Sequence, residues 1–93
     1  MLRAVMNETF RIQPPVPCGL PRVSPGETVS GVYIPAGIEV FTHSYAATHS
    51  PDNFVDPEKF APERWLGGGV YADDKKDASQ PFGVGNRACL GIK

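Results

Sequence analysis

From Leu2 to about Gln13 the apolar residues Leu2, Val5, Met6, Phe10 and Ile12, with Thr9, fall on one side of a 3.6-residue wheel, which predicts an amphipathic helix. Pro14 and Pro15 end it, because proline lacks the N–H and pushes the residue before it out of the α region. Glu8 and Arg11 lie off the apolar stripe, three positions apart, where helical side chains meet. Composition alone reads them as a solvated ion pair worth roughly 0.2–0.5 kcal/mol.

Residues 14 to 31 read as an extended, proline-punctuated segment. Val29, Gly31, Val32, Tyr33 and Ile34, followed by Pro35-Ala36-Gly37 and then Ile38 to Phe41, predict a hairpin that turns at Pro35 to Gly37. Ser44 to His49 reads as one helical turn capped by Ser44. Ser50 to Gly69, with its prolines and with Phe54, Phe60 and Trp65, shows no clear period and reads as an ordered irregular meander held by its aromatics. Gly67 to Gln80 is glycine-rich and then charged (Asp73, Asp74, Lys75, Lys76, Asp77), the pattern of a solvated surface loop.

Composition narrows the class. A chain of 93 residues is one domain at most, and at that size only a little over ~60% of the unfolded surface is buried, so a large enclosed active site is not expected. Nine basic against ten acidic residues give a net charge of −1, which points to neither nucleic acid nor an acidic membrane surface. Cys18 and Cys89 are far apart and show no paired spacing, an argument against a disulfide framework and for a reducing compartment. No apolar run is long enough to span a bilayer and the amino end lacks a basic-then-apolar pattern, so no anchor or leader is expected in these residues, and Met1 need not be a natural start.

Candidate chemistry concentrates in Pro81 to Gly91, PFGVGNRACLG, where three glycines surround one arginine and one cysteine. Such a loop reads as wrapped around something. A helix beginning at Cys89 would turn its unpaired N–H groups toward the sulfur and favour the thiolate, making Cys89 a metal ligand or a nucleophile. Gly83 to Ala88 spells G-x-G-x-x-A, yet a polar stretch precedes it where a dinucleotide site needs a buried strand, so that reading is rejected. His43 and His49, six apart, suit neither a helix face nor a strand face and read as structural. The sequon Asn7-Glu8-Thr9 lies inside the predicted helix and reads as idle, and Pro14 to Pro17 matches PxxP without a basic anchor.

Taken in order, Glu8-x-x-Arg11, Pro62-Glu63-Arg64-Trp65 and Phe82-x-x-Gly85-x-Arg87-x-Cys89-x-Gly91 resemble the cytochrome P450 family of haem-thiolate monooxygenases, and Pro17 to Arg22 with Tyr45 to Trp65 look most like its filamentous-fungal members. The resemblance covers essentially the whole chain. It implies an α+β portion of a mainly α fold over residues 1–93: one amphipathic helix, a β-hairpin, a meander and the cysteine ligand loop, without a complete domain. It implies haem b (iron protoporphyrin IX) with Cys89 as axial thiolate. Phe82 would pack beside the sulfur, Arg87 would pair with one propionate and Arg22 with the second, Gly85 would form the tight turn, and Gly91 would admit the following helix close to the porphyrin. The segment Val16 to Leu20 resembles the strand that edges the substrate pocket.

The same resemblance replaces the solvated-pair reading of Glu8 and Arg11 with a buried cluster that includes Arg64. It further implies a monooxygenase that inserts one atom of O2 into a small lipophilic organic substrate, an NADPH-dependent reductase as electron donor, no nucleic acid partner, and an endoplasmic reticulum membrane location for the full-length enzyme. The long distal helix with its acid–alcohol pair is not among these residues, so the chain is expected to be a carboxyl-terminal portion that is inactive alone. The alternative is a non-catalytic truncated product or a small haem-binding module.

Overall fold

The computed structural model describes residues 1–92. Helix α1 spans Leu2–Ile12. Four short strands come next, β1 (Arg22–Val23), β2 (Glu27–Val29), β3 (Val32–Ile34) and β4 (Glu39–Val40), then the one-turn helix α2 (Ser44–Thr48). The rest is meander, punctuated by single 3-10 turns at Pro62–Trp65, Gly69–Tyr71, Lys76–Ala78 and Gly85–Arg87.

Helix α1 ends where the prolines require, its last cap bond running from the Gln13 N–H to the Thr9 carbonyl at 2.8 Å. Its buried face is not the apolar stripe. Ala4, Glu8 and Arg11 point inward, whereas Leu2 and Met6 are 75% and 49% exposed. The inward face is the polar one because it packs on the Pro62–Trp65 turn and on α2, where the charged groups of Glu8 and Arg11 find partners. The largest fully buried side chains are Arg11, Arg64, Phe54, Glu8 and Thr48, so the centre of this unit is a satisfied polar cluster packed on an aromatic ring.

The hairpin turns earlier than the alternation predicts. Strands β2 and β3 pair with Val29 opposite Val32, leaving Ser30 and Gly31 as a two-residue loop with φ of 49° and 81°. Positive φ at both central residues is the type I′ geometry whose twist matches the flanking strands. Pro35 to Gly37 also turns, but it leads from β3 to β4, which pairs with β1 in a separate two-stranded antiparallel sheet. Buried Ser24 joins the two sheets: its N–H donates to the Ile38 carbonyl at 2.8 Å, its hydroxyl donates to the Ile34 carbonyl at 3.0 Å, and its carbonyl accepts from Gly37 N–H at 2.9 Å.

The cap of α2 is His43 rather than Ser44. The His43 Nδ1 accepts the Ala46 N–H at 3.2 Å, so the imidazole occupies the place of the oxygen acceptor usual there, and Ser44 becomes the first helical residue. Just before the sheets, Gly19 takes φ +73° with its backbone so close to Thr42 that a Cβ would lie 1.9 Å from the Thr42 carbonyl oxygen. Only glycine fits there, and the contact fixes the Val16 to Leu20 segment against the chain entering α2, reinforced by the Tyr45 N–H donating to the Pro17 carbonyl at 2.9 Å.

Candidate functional site

The cluster is built outward from one carboxylate. Glu8 Oε1 accepts from Arg11 Nη2 at 2.8 Å, from Arg64 Nε at 3.1 Å and from the Ala61 N–H at 2.9 Å. Its Oε2 accepts from Arg11 Nε at 2.9 Å and from the Trp65 indole N–H at 2.8 Å. Arg11 directs its remaining donors to the Thr48, Pro57 and Lys59 carbonyls at 2.9, 2.7 and 3.0 Å. Arg64 donates to the Val55 carbonyl at 3.1 Å and to the Asp74 carboxylate. Phe54 lies between the two guanidiniums, 5.2 Å from Arg11 and 5.8 Å from Arg64, and the Tyr71 ring stands 4.4 Å from Arg64. Among the described residues no buried side-chain nitrogen or oxygen lacks a partner, which makes two buried guanidiniums tolerable.

Two members of this cluster carry no signal in the sequence. Trp65 belongs to the PERW string, but nothing in that string shows its N–H reaching Glu8. Asp74 sits in a run of charges that reads as a solvated loop; it is instead buried, and its Oδ1 also accepts the Val55 N–H at 2.8 Å. A run of mixed charges hides the one carboxylate that turns inward, since a charge run is ordinarily solvated.

Burial alone would push the Glu8 carboxyl up, but hydrogen bonds from Arg11, the Ala61 N–H and the Trp65 indole, together with the Arg11 charge, outweigh it and bring the carboxyl down from 4.5 to about 2. A folded-state value below the unfolded one stabilises the fold above pH 4.5, and that contribution, about 3 kcal/mol, is lost as the pH falls toward 2. Glu8→Gln is therefore expected to lower stability at neutral pH and to flatten its decline in acid. Denaturant midpoints measured across that pH range check this, and parallel profiles for the variant and the parent would contradict it.

The cysteine loop is held by backbone. Gly83 and Gly85 take φ of 71° and 72°, Gly83 N–H donates to the Gln80 carbonyl at 3.1 Å, and Cys89 N–H donates to the Phe82 carbonyl at 2.7 Å, closing the loop on itself. The Cys89 side chain is exposed and free, and its Sγ accepts the Gly91 N–H at 3.4 Å. From Cys89 through Ile92 the chain makes a turn rather than a helix, so the donor presented to the sulfur is a single turn N–H. A Cβ on Gly91 would meet Sγ at 3.6 Å, an ordinary contact, and so the sulfur itself does not require glycine there. Phe82 is half-buried and meets Phe10 of α1 edge-to-face, centroids 5.4 Å apart.

Arg22 and Arg87, remote in sequence, line one open cavity of about 550 Å³ with Leu20, Pro21, Val23 and Glu39. Arg22 donates to the Pro21 carbonyl at 2.9 Å, which leaves its other donors available. Two guanidiniums at one open cleft, one of them two residues before an exposed thiol that receives an N–H, form a donor set suited to a group carrying paired carboxylates and a thiolate-bound metal.

A protein-family model described as Cytochrome P450 matches residues 1–93. Cytochrome P450 monooxygenase ORF9 of Penicillium roqueforti is 49% identical over 90 residues, covering 97% of this chain and 17% of the relative. Fusicoccadiene 8-ol C-16-hydroxylase of Phomopsis amygdali is 47% identical over 92 residues, covering 97% and 18%. A zebra fish cytochrome P450 solved with abiraterone superposes with a TM-score of 0.78 at 34% identity, covering 98% of this chain and 20% of that one. The chain thus spans less than a fifth of the length of the curated relatives named here.

Proposed function

The chain belongs to the cytochrome P450 family, and from that premise we propose that residues 1–93 form the proximal side of the haem site of a larger monooxygenase, with Cys89 as the axial thiolate. The observation that carries this reading is the convergence of Arg22 and Arg87 on one cleft, with Cys89 two residues beyond Arg87. When bound, haem b supplies the O2 activation by which one oxygen atom enters an organic substrate and the other is reduced to water.

The chain's own residues hold and shield. Gly91 N–H donates to the Cys89 sulfur and would help to orient it toward the iron. Phe82, braced by Phe10, would pack beside the sulfur and help to shield it once haem is bound. Arg87 and Arg22 would hold the two propionates as charge-assisted hydrogen-bond donors. Gly85, at φ 72°, lets the loop turn back toward Cys89, and Gly91 leaves the porphyrin face uncrowded. Glu8, Arg11 and Arg64 brace this platform from beneath. An NADPH-dependent reductase donates the electrons, small lipophilic compounds are the substrate class, and the full-length enzyme resides in the endoplasmic reticulum membrane; among the described residues no helix is long and apolar enough to cross a membrane.

Haem transfer from the full-length enzyme to excess apomyoglobin tests the cleft. Loss of one charge-assisted pair is worth about 1.5–3 kcal/mol, so Arg87→Ala is expected to accelerate haem loss by roughly tenfold or more, Arg22→Ala likewise but less because its fork already serves Pro21, and Lys at either position to restore part of the retention. Parental transfer rates in both alanine variants would overturn the propionate assignment.

A further inference from the structure

We propose that Asp74 is a fourth, charge-neutralising member of the buried cluster and a positioning residue for the cysteine loop, acting through Arg64. Two buried guanidiniums, Arg11 and Arg64, converge on Glu8, which leaves one positive charge uncompensated unless a second carboxylate enters. Asp74 is that carboxylate: buried, with Oδ2 accepting from Arg64 Nη1 and Oδ1 accepting the Val55 N–H. A buried ionic group is tolerated when charge and hydrogen bonds are both matched, and the four side chains achieve both.

The same residue joins two stretches of chain. At the next position Lys75 N–H donates to the Asn53 carbonyl at 2.7 Å, while the Asn53 amide donates to the Ala47 carbonyl of α2 at 2.9 Å. Asp74 and Lys75 therefore pin the meander at 53–55 to the start of the segment that runs into Pro81 and the ligand loop. From the other side, α1 carries Glu8 and Arg11 into the cluster and Phe10 onto Phe82, whose carbonyl holds the Cys89 N–H. The loop thus hangs between two supports that meet at Arg64, the meander through Asp74 and α1 through Glu8.

The spectroscopic readout rests on the haem-thiolate reading of Cys89; the unfolding readout does not. In the full-length holoprotein, Asp74→Asn keeps the shape and removes the charge. It is expected to lose haem to apomyoglobin about tenfold faster and to convert part of the reduced carbon monoxide Soret band from the red-shifted thiolate form, with Asp74→Glu recovering most of both and Asp73→Asn, at its exposed neighbour, changing neither. In denaturant unfolding, Arg64→Gln/Asp74→Asn is expected to be no less stable than Arg64→Gln alone, since the pair leaves together and Glu8–Arg11 stays balanced. If Asp74→Asn gives no folded protein, yield replaces midpoint and the double variant is expected at or above Arg64→Gln. Parental haem retention and Soret band in Asp74→Asn, no recovery with Glu, or additive losses in the double variant would each overturn the proposal. Absence of the red-shifted band in the parent itself would instead overturn the reading of Cys89 and leave the unfolding comparison to decide Asp74.

Discussion

Arg64→Ala in the full-length enzyme is expected to yield protein without stably bound haem. Arg64 is fully buried and connects Glu8, Asp74 and the Val55 carbonyl, and it packs on both Phe54 and Tyr71. Alanine removes all of these at once and leaves the buried Asp74 carboxylate without its cation, while Glu8 keeps only Arg11 as a charged partner. Breaking a buried pair by deleting one partner costs about 3–5 kcal/mol, to be set against a total stability of about 5–15 kcal/mol for a folded protein. The loss is felt first where the meander meets α1 and the loop, so haem retention falls before the whole enzyme unfolds. Lysine keeps a charge but not the fork that reaches Glu8, Asp74 and backbone carbonyls together, and is expected to rescue little. The haem-to-protein ratio of the purified variant decides the matter; a normal ratio would refute the bracing role.

Much of this arrangement is legible in the sequence, and the parts that are not have physical reasons. The extent of α1 comes from its periodicity and from Pro14, and the turn-rich loop before Cys89 comes from Gly83 and Gly85, both at positive φ. The inward face of α1 does not emerge this way. A wheel ranks positions by hydrophobicity, whereas burial of Glu8 and Arg11 is decided by acceptors and donors 37 to 57 residues away. Only the family resemblance points there. The Ser30-Gly31 turn is masked by the stronger proline signal at Pro35, although a two-residue loop with both φ positive is what sets the register of β2 and β3. Ser44 looks like the cap because hydroxyls usually are; the His43 imidazole precedes it by one residue. Asp74 and Trp65 are invisible as cluster members because neither stands at a spacing that marks it.

The central claim is the identity of the axial ligand, and Cys89→Ser carries the largest expected effect on it. Of the two free cysteines, Cys89 alone lies in the loop closed by Phe82 and Gly91, with an N–H aimed at its sulfur. On the proposed reading the Cys89 thiolate would be the iron ligand and donor of electron density, whereas a serine hydroxyl at the same place would coordinate iron only weakly. The substitution is nearly isosteric and exposed, so the fold is expected to survive it, with unfolding midpoints close to the parent's and the Glu8–Arg11–Arg64–Asp74 cluster intact. Cys18, exposed beside a different cavity, serves as the control: Cys18→Ser is expected to leave the spectrum unchanged. The decisive measurement is the carbon monoxide difference spectrum of the reduced full-length enzyme. The parent is expected to show the red-shifted Soret band of a thiolate-ligated haem and Cys89→Ser to lose it; a Cys89→Ser protein that keeps the band would contradict the account.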